Sequence, residues 1–401
     1  MTRARKYAII NLRRFLTKAG CVIKEGNRVI EKMSSIQRVQ AALNFEQPDY
    51  IPLIENYWGD FVARWRRQQH LRPLPDLPFE DVVEDLEISA YYGMDVAIAI
   101  PDESPWPSQA EMLGADRRYV IYRDGWGRVR RGLPGAEFAA RDLEVVLSEK
   151  SDLDNLEFES PKDDNRYIDY LERVARLSTG EYRPYVVTKL GGPFFRPSRL
   201  RGYVRWLMDI AEDPPFVEAL ARRVTDHLIA IGLEAVRRSG LWHTSIGIFD
   251  DCADNSGLQI SPKFYTRVFL PQIRRMVKAF KGAGVARVMF HSDGDIQAIL
   301  DGLVEAGIDA INPVEPRANM DVVELRKRYG KRLAFVGGLC NSRILPQGTA
   351  AEVRDHVEHV LKAGEGGGLV VGSHSIGADI SLERYEFVMR ILAEHGRPLP
   401  S

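Results

Sequence analysis

The sequence predicts an α/β fold, namely a (β/α)8 TIM barrel with an inserted hairpin and helical segment after the second strand. Eight short runs rich in Val and Ile recur from residue 50 onward. Most of them do not alternate between apolar and polar residues, as expected of parallel strands covered on both faces. Each run is followed by a loop and a helix-like stretch, which is the pattern of a (β/α)8 barrel. Because strand order is not visible in a sequence, a doubly wound sheet is the alternative fold.

The predicted strands are, in chain order, 50–56, 94–100, 185–191, 244–251, 286–293, 309–316, 333–340 and 368–374. Between them, residues 261–284 predict a helix with Ser261 as N-cap and Pro262 at its first position. Pro271 within this stretch predicts a kink or a break into two helices. Three later helices, each ending at glycine, are predicted within 295–307, 320–330 and 349–368.

Residues 101–180 are too many for one crossover between parallel strands. They contain "RRYVIYRDGWGRVRRG" (117–132), in which two short β-like runs flank Asp124-Gly125. An Asp-Gly pair between such runs is a strong hairpin signal. We therefore expect strand 2 to be followed by an inserted hairpin and further helices that lie over one mouth of the barrel.

The composition indicates an ordinary globular protein. The 401 residues are 45% hydrophobic and 28% charged, and the formal net charge is −1. This balance gives no bias toward nucleic acid or membranes. Three cysteines in this length argue against a disulfide scaffold and suit a cytoplasmic location. No apolar run approaches about 18 residues, so no transmembrane segment is expected.

The charge is concentrated at the N-terminus. Residues 1–32 hold nine Lys/Arg and two Glu, a local charge of +7, which leaves −8 for the rest of the chain. We expect residues 1–33 to form a basic N-terminal extension without a catalytic role and residues 34–401 to form a single barrel domain. An interfacial or targeting helix is the alternative for the extension.

Polar side chains end nearly every predicted strand, and the active site of a (β/α)8 barrel lies at these carboxyl ends. In strand order they are Glu55 and Asn56, Asp102 and Glu103, Lys189, Asp250 and Asp251, His291 and Asp293, Asn312 and Glu315, Cys340, and His374. Each alone has a structural explanation, such as Asp293 or Asp295 capping the next helix. Together they predict a functional site at this mouth.

Four of these residues form the candidate zinc site. Zinc takes Cys, His and carboxylate ligands, and a catalytic zinc keeps one position open. His291, Asp293, Cys340 and His374 offer these ligands at the ends of strands 5, 7 and 8. Their spacing is not a specific metal motif, and no two cysteines are close in the sequence.

The last third of the chain resembles the uroporphyrinogen decarboxylase superfamily. The resemblance rests on "HSDGDIQAILDGLVEAGIDAINPVEP", "LAFVGGLC" and "GGGLVVGSHSIGADISLERYEFVMRI", and also on the earlier "IGIFDDCADNSGLQISPKFY". The opening "SSIQRVQAALNFEQPDYIPL" is similar to the usual start of that superfamily, so the resemblance extends from about residue 34 to 396. It implies a (β/α)8 barrel, in agreement with the strand count.

Two chemistries occur in the superfamily. True uroporphyrinogen decarboxylases resemble one another in an "RQAGR" segment, which is absent from "IPLIENYWGDFVARWRR" (51–67). Corrinoid-linked methyltransferases that act on thiols resemble one another in an "HxC" motif and a later Cys that together bind zinc. Here Asp293 and His374 stand where that resemblance places the two sulfur ligands. The resemblance therefore favours the methyltransferase branch but departs from its thiol-specific ligand set.

The sequence thus predicts an enzyme, a methyltransferase that moves a methyl group between a corrinoid protein and a small-molecule acceptor. The resemblance implies a methylcorrinoid carried by the partner protein. Tetrahydrofolate is favoured over a thiol as acceptor because the zinc cysteines are missing, and zinc is the candidate metal. The predicted catalytic residues are His291, Asp293, Asp250 and Asp251. The predicted substrate-binding residues are Glu55, Lys189, Asn312, Glu315 and His374, and the predicted metal ligands are His291, Asp293, Cys340 and His374.

Two other functions stay open at this point. The first is decarboxylation of a carboxylated tetrapyrrole or another acid, for which Arg196, Arg199 and Arg201 in "FFRPSRLRG" would supply the anion contacts. The second is a binding protein that kept the barrel but lost the chemistry. Replacement of His291 by Ala separates these classes, since an enzyme would lose turnover far more than affinity.

Overall fold

The structure, a computed structural model, describes residues 32–74, 82–83, 85–116, 118–133 and 136–400. The predicted extension over residues 1–33 therefore lies almost wholly outside the described residues, and its boundary stays a prediction. In the described part of the chain, no helix combines the length and the apolar character needed to cross a membrane.

Strands occur in the barrel and in three smaller sheets. In chain order they are β1 (Leu53–Ile54), β2 (Tyr57–Trp58), β3 (Val82–Val83), β4 (Val96–Ala99), β5 (Glu111–Ala115), β6 (Val120–Arg123), β7 (Val129–Leu133), β8 (Ala136–Glu144), β9 (Tyr185–Gly191), β10 (Ser245–Phe249), β11 (Ala253–Asp254), β12 (Gly257–Leu258), β13 (Arg287–His291), β14 (Ala310–Asn312), β15 (Ala334–Gly338) and β16 (Leu369–Gly372).

The helices lie between these strands and at both ends of the described chain. They are α1 (Ser35–Leu43), α2 (Gly59–Gln68), α3 (Leu86–Tyr91), α4 (Ile168–Thr179), α5 (Phe195–Arg201), α6 (Tyr203–Glu212), α7 (Pro214–Ser239), α8 (Pro262–Val268), α9 (Leu270–Gly282), α10 (Gln297–Ala306), α11 (Val322–Tyr329), α12 (Ile344–Gln347), α13 (Ala350–Lys362) and α14 (Leu382–Glu394).

The central sheet has eight parallel strands in the order β1-β16-β15-β14-β13-β10-β9-β4. All eight coincide with the strands predicted from the sequence. The first and last strands approach each other, and the backbone N–H of Asp95, just before β4, donates to Leu53 O in β1 at 2.8 Å. The sheet is thus nearly closed, so the prediction of a (β/α)8 barrel is confirmed and the doubly wound alternative is wrong.

The predicted helix breaks are also observed. The stretch that begins at Ser261 forms two helices, α8 and α9, which meet at Phe269. Pro271 lies in the first turn of α9, where its missing N–H costs nothing because that group has no intrahelical acceptor. Gly307 ends α10 in the left-handed conformation, with φ of +95°.

The segment after strand β4 contains more sheet than the sequence predicted. The expected hairpin is the pair β6 and β7, and its turn is held by Asp124, whose Oδ1 accepts from the N–H groups of Trp126 and Arg128 at 3.0 Å each. Strands β5 and β8 pair on either side of this hairpin and complete a four-stranded antiparallel sheet. Trp126 is only 4% exposed, which fixes the turn against the body of the protein.

Helix α1 closes the amino-terminal end of the barrel. Its residues Val39 and Leu43 pack in one apolar cluster with Ile54, Val96 and Val187 from the barrel strands. A capping box at Ser34 starts the helix, because Ser34 and Gln37 bond to each other's backbone N–H. With this end filled, the carboxyl ends of the strands form the mouth where a site can lie.

Candidate functional site at the carboxyl ends of the strands

His291 is the last residue of β13, and its ring is held in one orientation. Its Nδ1 lies 2.6 Å from Asn312 Oδ1, at the end of the neighbouring strand β14. Because Asn312 Nδ2 donates to Val336 O at 3.3 Å, the amide oxygen faces the ring and accepts from Nδ1. The Phe249 ring stacks on the other side, with centroids 4.2 Å apart. These contacts leave Nε2 with its lone pair directed toward the mouth.

Asp293 and His374 meet this nitrogen. Asp293 Oδ1 lies 3.5 Å from His291 Nε2 and 3.3 Å from His374 Nε2. One ligand atom from each of the three residues lies within 4.8 Å of the others, close enough for all three to bind one ion. Asp293 Oδ1 is itself buried without a hydrogen bond. A buried carboxylate oxygen without a partner is costly, and a bound cation would satisfy it.

Burial sets the protonation of two members of this cluster. It lowers the pKa of His291 to about 4, and the neighbouring Asp251 charge only partly opposes this. Burial also raises the pKa of Asp293 to about 6, although the charge interaction with His374 lowers this pKa. At neutral pH the His291 imidazole is therefore uncharged and the Asp293 carboxyl is mainly ionised, which are the forms that bind a metal.

The loop after β13 presents Asp293 to the two histidines. Gly294 has φ of +85°, and a Cβ there would come within 2.4 Å of Asp254 O, so the tight turn requires glycine. Its N–H donates to Glu315 Oε2 at 3.0 Å. Asp295 Oδ1 accepts from Gln297 N at 3.0 Å, at the start of α10. The N-cap of α10 is Ile296, so neither acid proposed as a helix cap is the N-cap residue; Asp295 bonds to the first helical N–H from the position before it, and Asp293 faces the site.

The two acids after β10 have different surroundings. Asp250 is fully buried and accepts from the N–H groups of Phe194 at 3.0 Å and Phe195 at 2.7 Å, at the start of α5. Burial raises its pKa to about 7. Asp251 Oδ1 lies 3.6 Å from His291 Nε2, and its side chain is 40% exposed. Asp251 therefore borders the cluster, whereas the bonds of Asp250 position α5; the predicted catalytic role of both stays a prediction.

Glu55 follows β1 and bonds to the residue next to His374. Its carboxyl accepts from the N–H of Ser373 at 2.9 Å and from the Ser373 hydroxyl at 2.6 Å. Asn56 Nδ2 donates to His374 O at 3.2 Å, so both residues hold the β16 end in place. Burial raises the pKa of Glu55 to about 8, so this carboxyl is mainly protonated at pH 7.

Lys189 and Cys340 lie elsewhere around the mouth. Lys189 Nζ is 4.3 Å from the centroid of the Phe249 ring that stacks on His291. Cys340 does not belong to the three-residue cluster, and its Sγ lies 3.8 Å from Ser342 Oγ. Its N–H donates to His356 Nε2 at 2.9 Å. The binding roles predicted for both residues stay predictions.

Two contributors to the site were not predicted from the sequence. Phe249 supplies the stacking face for His291, and Ser373 supplies two donors to Glu55. The sequence offered a signal for Phe249, because it lies at the end of the predicted strand 244–251, directly before Asp250. The next predicted strand along the chain ends at His291, so a contact between the two side chains could have been expected. The two residues are register partners in the sheet. Ser373 had no such signal, since its partner is 318 residues away in the chain.

A scan against protein-family models matches residues 142–395 to the family described as Uroporphyrinogen decarboxylase (URO-D). The match covers more than half of the chain. The chain belongs to the uroporphyrinogen decarboxylase family. The resemblance noted in the sequence is thereby confirmed, and His291, Asp293 and His374 all lie within the matched range.

Two solved structures are similar to this chain at low sequence identity. A methyltransferase from Methanosarcina mazei is 17% identical, with a TM-score of 0.61 over 90% of this chain and 99% of that chain. A B12-independent methionine synthase from Shewanella is 13% identical, with a TM-score of 0.41 over 87% of this chain and 93% of that chain. At these identities the likeness concerns the fold alone. A search of curated proteins found no match.

Proposed function

We propose that this chain is a methyltransferase of the uroporphyrinogen decarboxylase family in which His291, Asp293 and His374 hold a divalent metal, with zinc as the first candidate. The observation that carries the proposal is the buried Asp293 Oδ1, which has no hydrogen bond and lies 3.5 and 3.3 Å from the Nε2 atoms of His291 and His374.

The donor set fits such an ion. Two imidazoles and one carboxylate are a known ligand set of catalytic zinc, which keeps a further position open for a substrate. When bound there, the metal would act as a Lewis acid that lowers the pKa of the acceptor group. Since neither sulfur ligand of the thiol-specific pattern is present, a nitrogen acceptor such as tetrahydrofolate suits this site better than a thiol does.

The surrounding residues orient the ligands and accept a proton. Asn312 fixes the His291 ring through Nδ1, and Glu315 holds the Asp293 loop through Gly294 N. Such contacts behind the ligands commonly tune metal affinity. Methylation of a nitrogen acceptor releases the proton of that nitrogen. We infer that the Asp251 carboxyl group, whose Oδ1 lies 3.6 Å from His291 Nε2, accepts this proton.

The methyl donor in this proposal is a methylcorrinoid carried by a partner protein, and the acceptor is a small molecule bound at the strand ends. The resemblance to the corrinoid-linked branch supports this choice, and a protein described as a methyltransferase shares the fold over 90% of this chain. The decarboxylase alternative has less support, because two of its three candidate arginines are paired, Arg196 with Glu103 at 2.5 Å and Arg201 with Asp209 at 2.7 Å, which leaves Arg199 as its remaining candidate.

The first experiment is metal analysis of the purified, untagged protein and of two histidine variants. The wild type should hold about one metal ion per chain, as a three-ligand catalytic site does. His374→Ala should lose it. His395→Ala is the matched control, since His395 is exposed after α14. Absence of metal from the wild type after growth with added zinc would overturn the metal part of the proposal.

The second experiment measures transfer with methylcobalamin as the donor. Tetrahydrofolate and a small thiol are tested as separate acceptors, and loss of the methyl–cobalt absorbance is followed. The wild type should demethylate the donor, with tetrahydrofolate the better acceptor, and His374→Ala should be slower by about 100-fold or more. If metal is bound but neither acceptor supports transfer, the methyltransferase part is wrong while the metal site stands.

A further inference from the structure

Helix α6 exposes an apolar stripe to solvent. Val204, Met208 and Ala211 recur at helical spacing, so they lie on one face of the helix. Val204 is 71% exposed and Met208 is 51% exposed, whereas Trp206 and Ile210 are buried on the opposite face. In a single chain the stripe is unfavourable, because water contacts its apolar area.

The neighbouring helix α7 has a different outward face. At similar spacing it exposes three charged residues, Glu218, Arg222 and Asp226. Charged and polar residues are typical of the solvent side of a surface helix. The outward face of α6 departs from this pattern, which indicates a surface that another molecule covers.

The apolar surface continues from α6 onto the inserted sheet. Gly202 precedes α6, and a Cβ at this glycine would lie 3.5 Å from the Val145 side chain, just after β8. Leu143 lies two residues before Val145, in β8, and is 47% exposed. Exposed apolar residues that are neighbours in this way are typical of a contact surface between proteins, unlike a single exposed side chain.

Two opposite charges flank the stripe along the same edge. Arg205 and Glu212 are seven residues apart, which is almost two full turns, so they lie on one side of the stripe. Both residues are exposed, and neither forms an ion pair within the part of the chain that the structure describes. Arg205 Nη1 donates to the neutral Ser148 carbonyl at 3.1 Å. Both charges are therefore available to a partner.

This arrangement is complementary to itself. When two identical helices pack antiparallel about a two-fold axis, every contact between them occurs twice. An axis next to Met208 would place Met208 against its own copy. Along the helix, Arg205 lies about 4.5 Å before Met208 and Glu212 about 6 Å after it, so each Arg205 would face Glu212 of the second copy.

We propose that α6 is the contact through which two copies of this chain form an antiparallel, two-fold symmetric dimer. Val204, Met208 and Ala211 form its apolar centre, and Arg205 and Glu212 form an ion pair on each side of the axis. One face of a ten-residue helix is smaller than the roughly 800 Å² per partner of a standard interface, so we expect reversible association at micromolar concentration. The proposal is independent of the methyltransferase function and of the metal.

Sedimentation equilibrium of the full chain, from about 2 to about 200 µM, tests the dimer. The wild type should change from the mass of one chain to that of two over this range. Val204→Glu combined with Met208→Glu should keep the mass of one chain throughout, because the contact would bury unpaired charges. Arg205→Glu and Glu212→Arg should each weaken association by about tenfold or more, and the double variant should restore it.

A matched control replaces an exposed apolar residue on another helix. Ile168→Glu, at the start of α4, changes a residue that is 57% exposed and should leave association unchanged. Circular dichroism of each variant checks that it is folded, and metal analysis of the same samples tests the metal proposal separately. A wild type with the mass of one chain at every concentration would overturn the dimer and leave α6 to a different partner.

Two further results would also overturn it. One is a dimer that persists when Val204 and Met208 are both replaced by Glu, since another surface would then hold the two copies together. The other is a failure of the double charge reversal to restore association, because Arg205 and Glu212 would then not face each other across the axis.

Discussion

The two ends of the barrel each hold an aspartate with a buried carboxylate oxygen, but the two carboxylates differ in their hydrogen bonds. At the amino-terminal end, Asp95 accepts from Arg38 Nη1 at 2.6 Å, Ser35 Oγ at 2.8 Å, and Leu53 N and Arg397 Nη1 at 3.0 Å each. At the carboxyl end, Asp293 Oδ1 has no hydrogen bond although it is buried. In the folded protein both carboxylate oxygens of Asp95 accept hydrogen bonds, whereas Asp293 Oδ1 accepts none.

This difference distinguishes Asp95, an acid that serves the fold, from Asp293, for which we propose a role in ligand binding. Removal of one partner from a group of buried, well-paired charges is strongly destabilising, because the remaining charges are left buried and unpaired. A buried acceptor without a hydrogen bond lowers stability. Such a group is typical of sites where a bound ligand supplies the missing contact. In a (β/α)8 barrel the amino-terminal end is the stability face and the carboxyl end is the catalytic face. Substitutions at the two aspartates should therefore affect different quantities.

The largest effect on stability should come from Asp95→Asn. It leaves the buried Arg397 charge with a neutral partner and Arg38 with Asp49 as its remaining carboxylate, so the free energy of unfolding should fall by about 3–5 kcal/mol. Urea denaturation followed by circular dichroism measures this change. Asp164→Asn, which removes an acid that is 87% exposed and paired with Arg238, should cost less than about 1 kcal/mol. Equal losses in the two variants would contradict the assignment of Asp95 as a structural acid.

Asp293→Asn should show the opposite behaviour. Metal affinity should fall by about 100-fold or more, because the carboxylate ligand is lost. The stability of the metal-free protein should not decrease, since the removed charge has no hydrogen bond at Oδ1. Metal analysis and denaturation of the chelator-treated protein test the two parts. A loss of stability as large as that of Asp95→Asn would show that Asp293 serves the fold.

Asn312→Ala should weaken metal binding by a smaller factor. The change removes the 2.6 Å hydrogen bond that fixes the His291 ring, and loss of such a contact behind a ligand typically costs about 10–100-fold in affinity. Competition with a coloured chelator measures the affinity. Asn44→Ala, at the C-cap of α1 on the opposite end of the barrel, should leave it unchanged. Unchanged affinity in Asn312→Ala would mean that Phe249 alone orients the ring.

The smallest effect concerns the pH dependence of stability at Glu55. Its pKa is about 8 in the folded protein and 4.5 when unperturbed, so between these values the folded state binds one more proton than the unfolded state. Stability should therefore fall as pH rises, by up to about 1.4 kcal/mol per pH unit, relative to Glu55→Gln. Urea denaturation of both proteins at pH 6 and pH 7 tests this. Parallel pH profiles would show that Glu55 is ionised in the fold.

The sequence by itself determined the barrel and the residue types at its mouth. Periodic Val- and Ile-rich runs placed all eight barrel strands, and local signals such as Asp124-Gly125 and Pro271 placed a hairpin and a helix break. These features depend on contacts close in the chain. Because the strand ends of a parallel barrel meet at one mouth, His291, Asp293 and His374 could be named as candidates before any distance was known.

Which candidates lie close together emerges only in the tertiary structure. Asp250 and Asp293 look alike as acids after a strand, yet Asp250 bonds to Phe194 and Phe195 while Asp293 Oδ1 has no hydrogen bond. The partners of Asp250 lie 55 and 56 residues away in the chain. Hydrogen-bond satisfaction and burial depend on contacts between distant segments, and a pattern of residue types along the chain does not encode them. That is why the fold could be predicted from the sequence, whereas the choice between capping acids and candidate ligands required the structure.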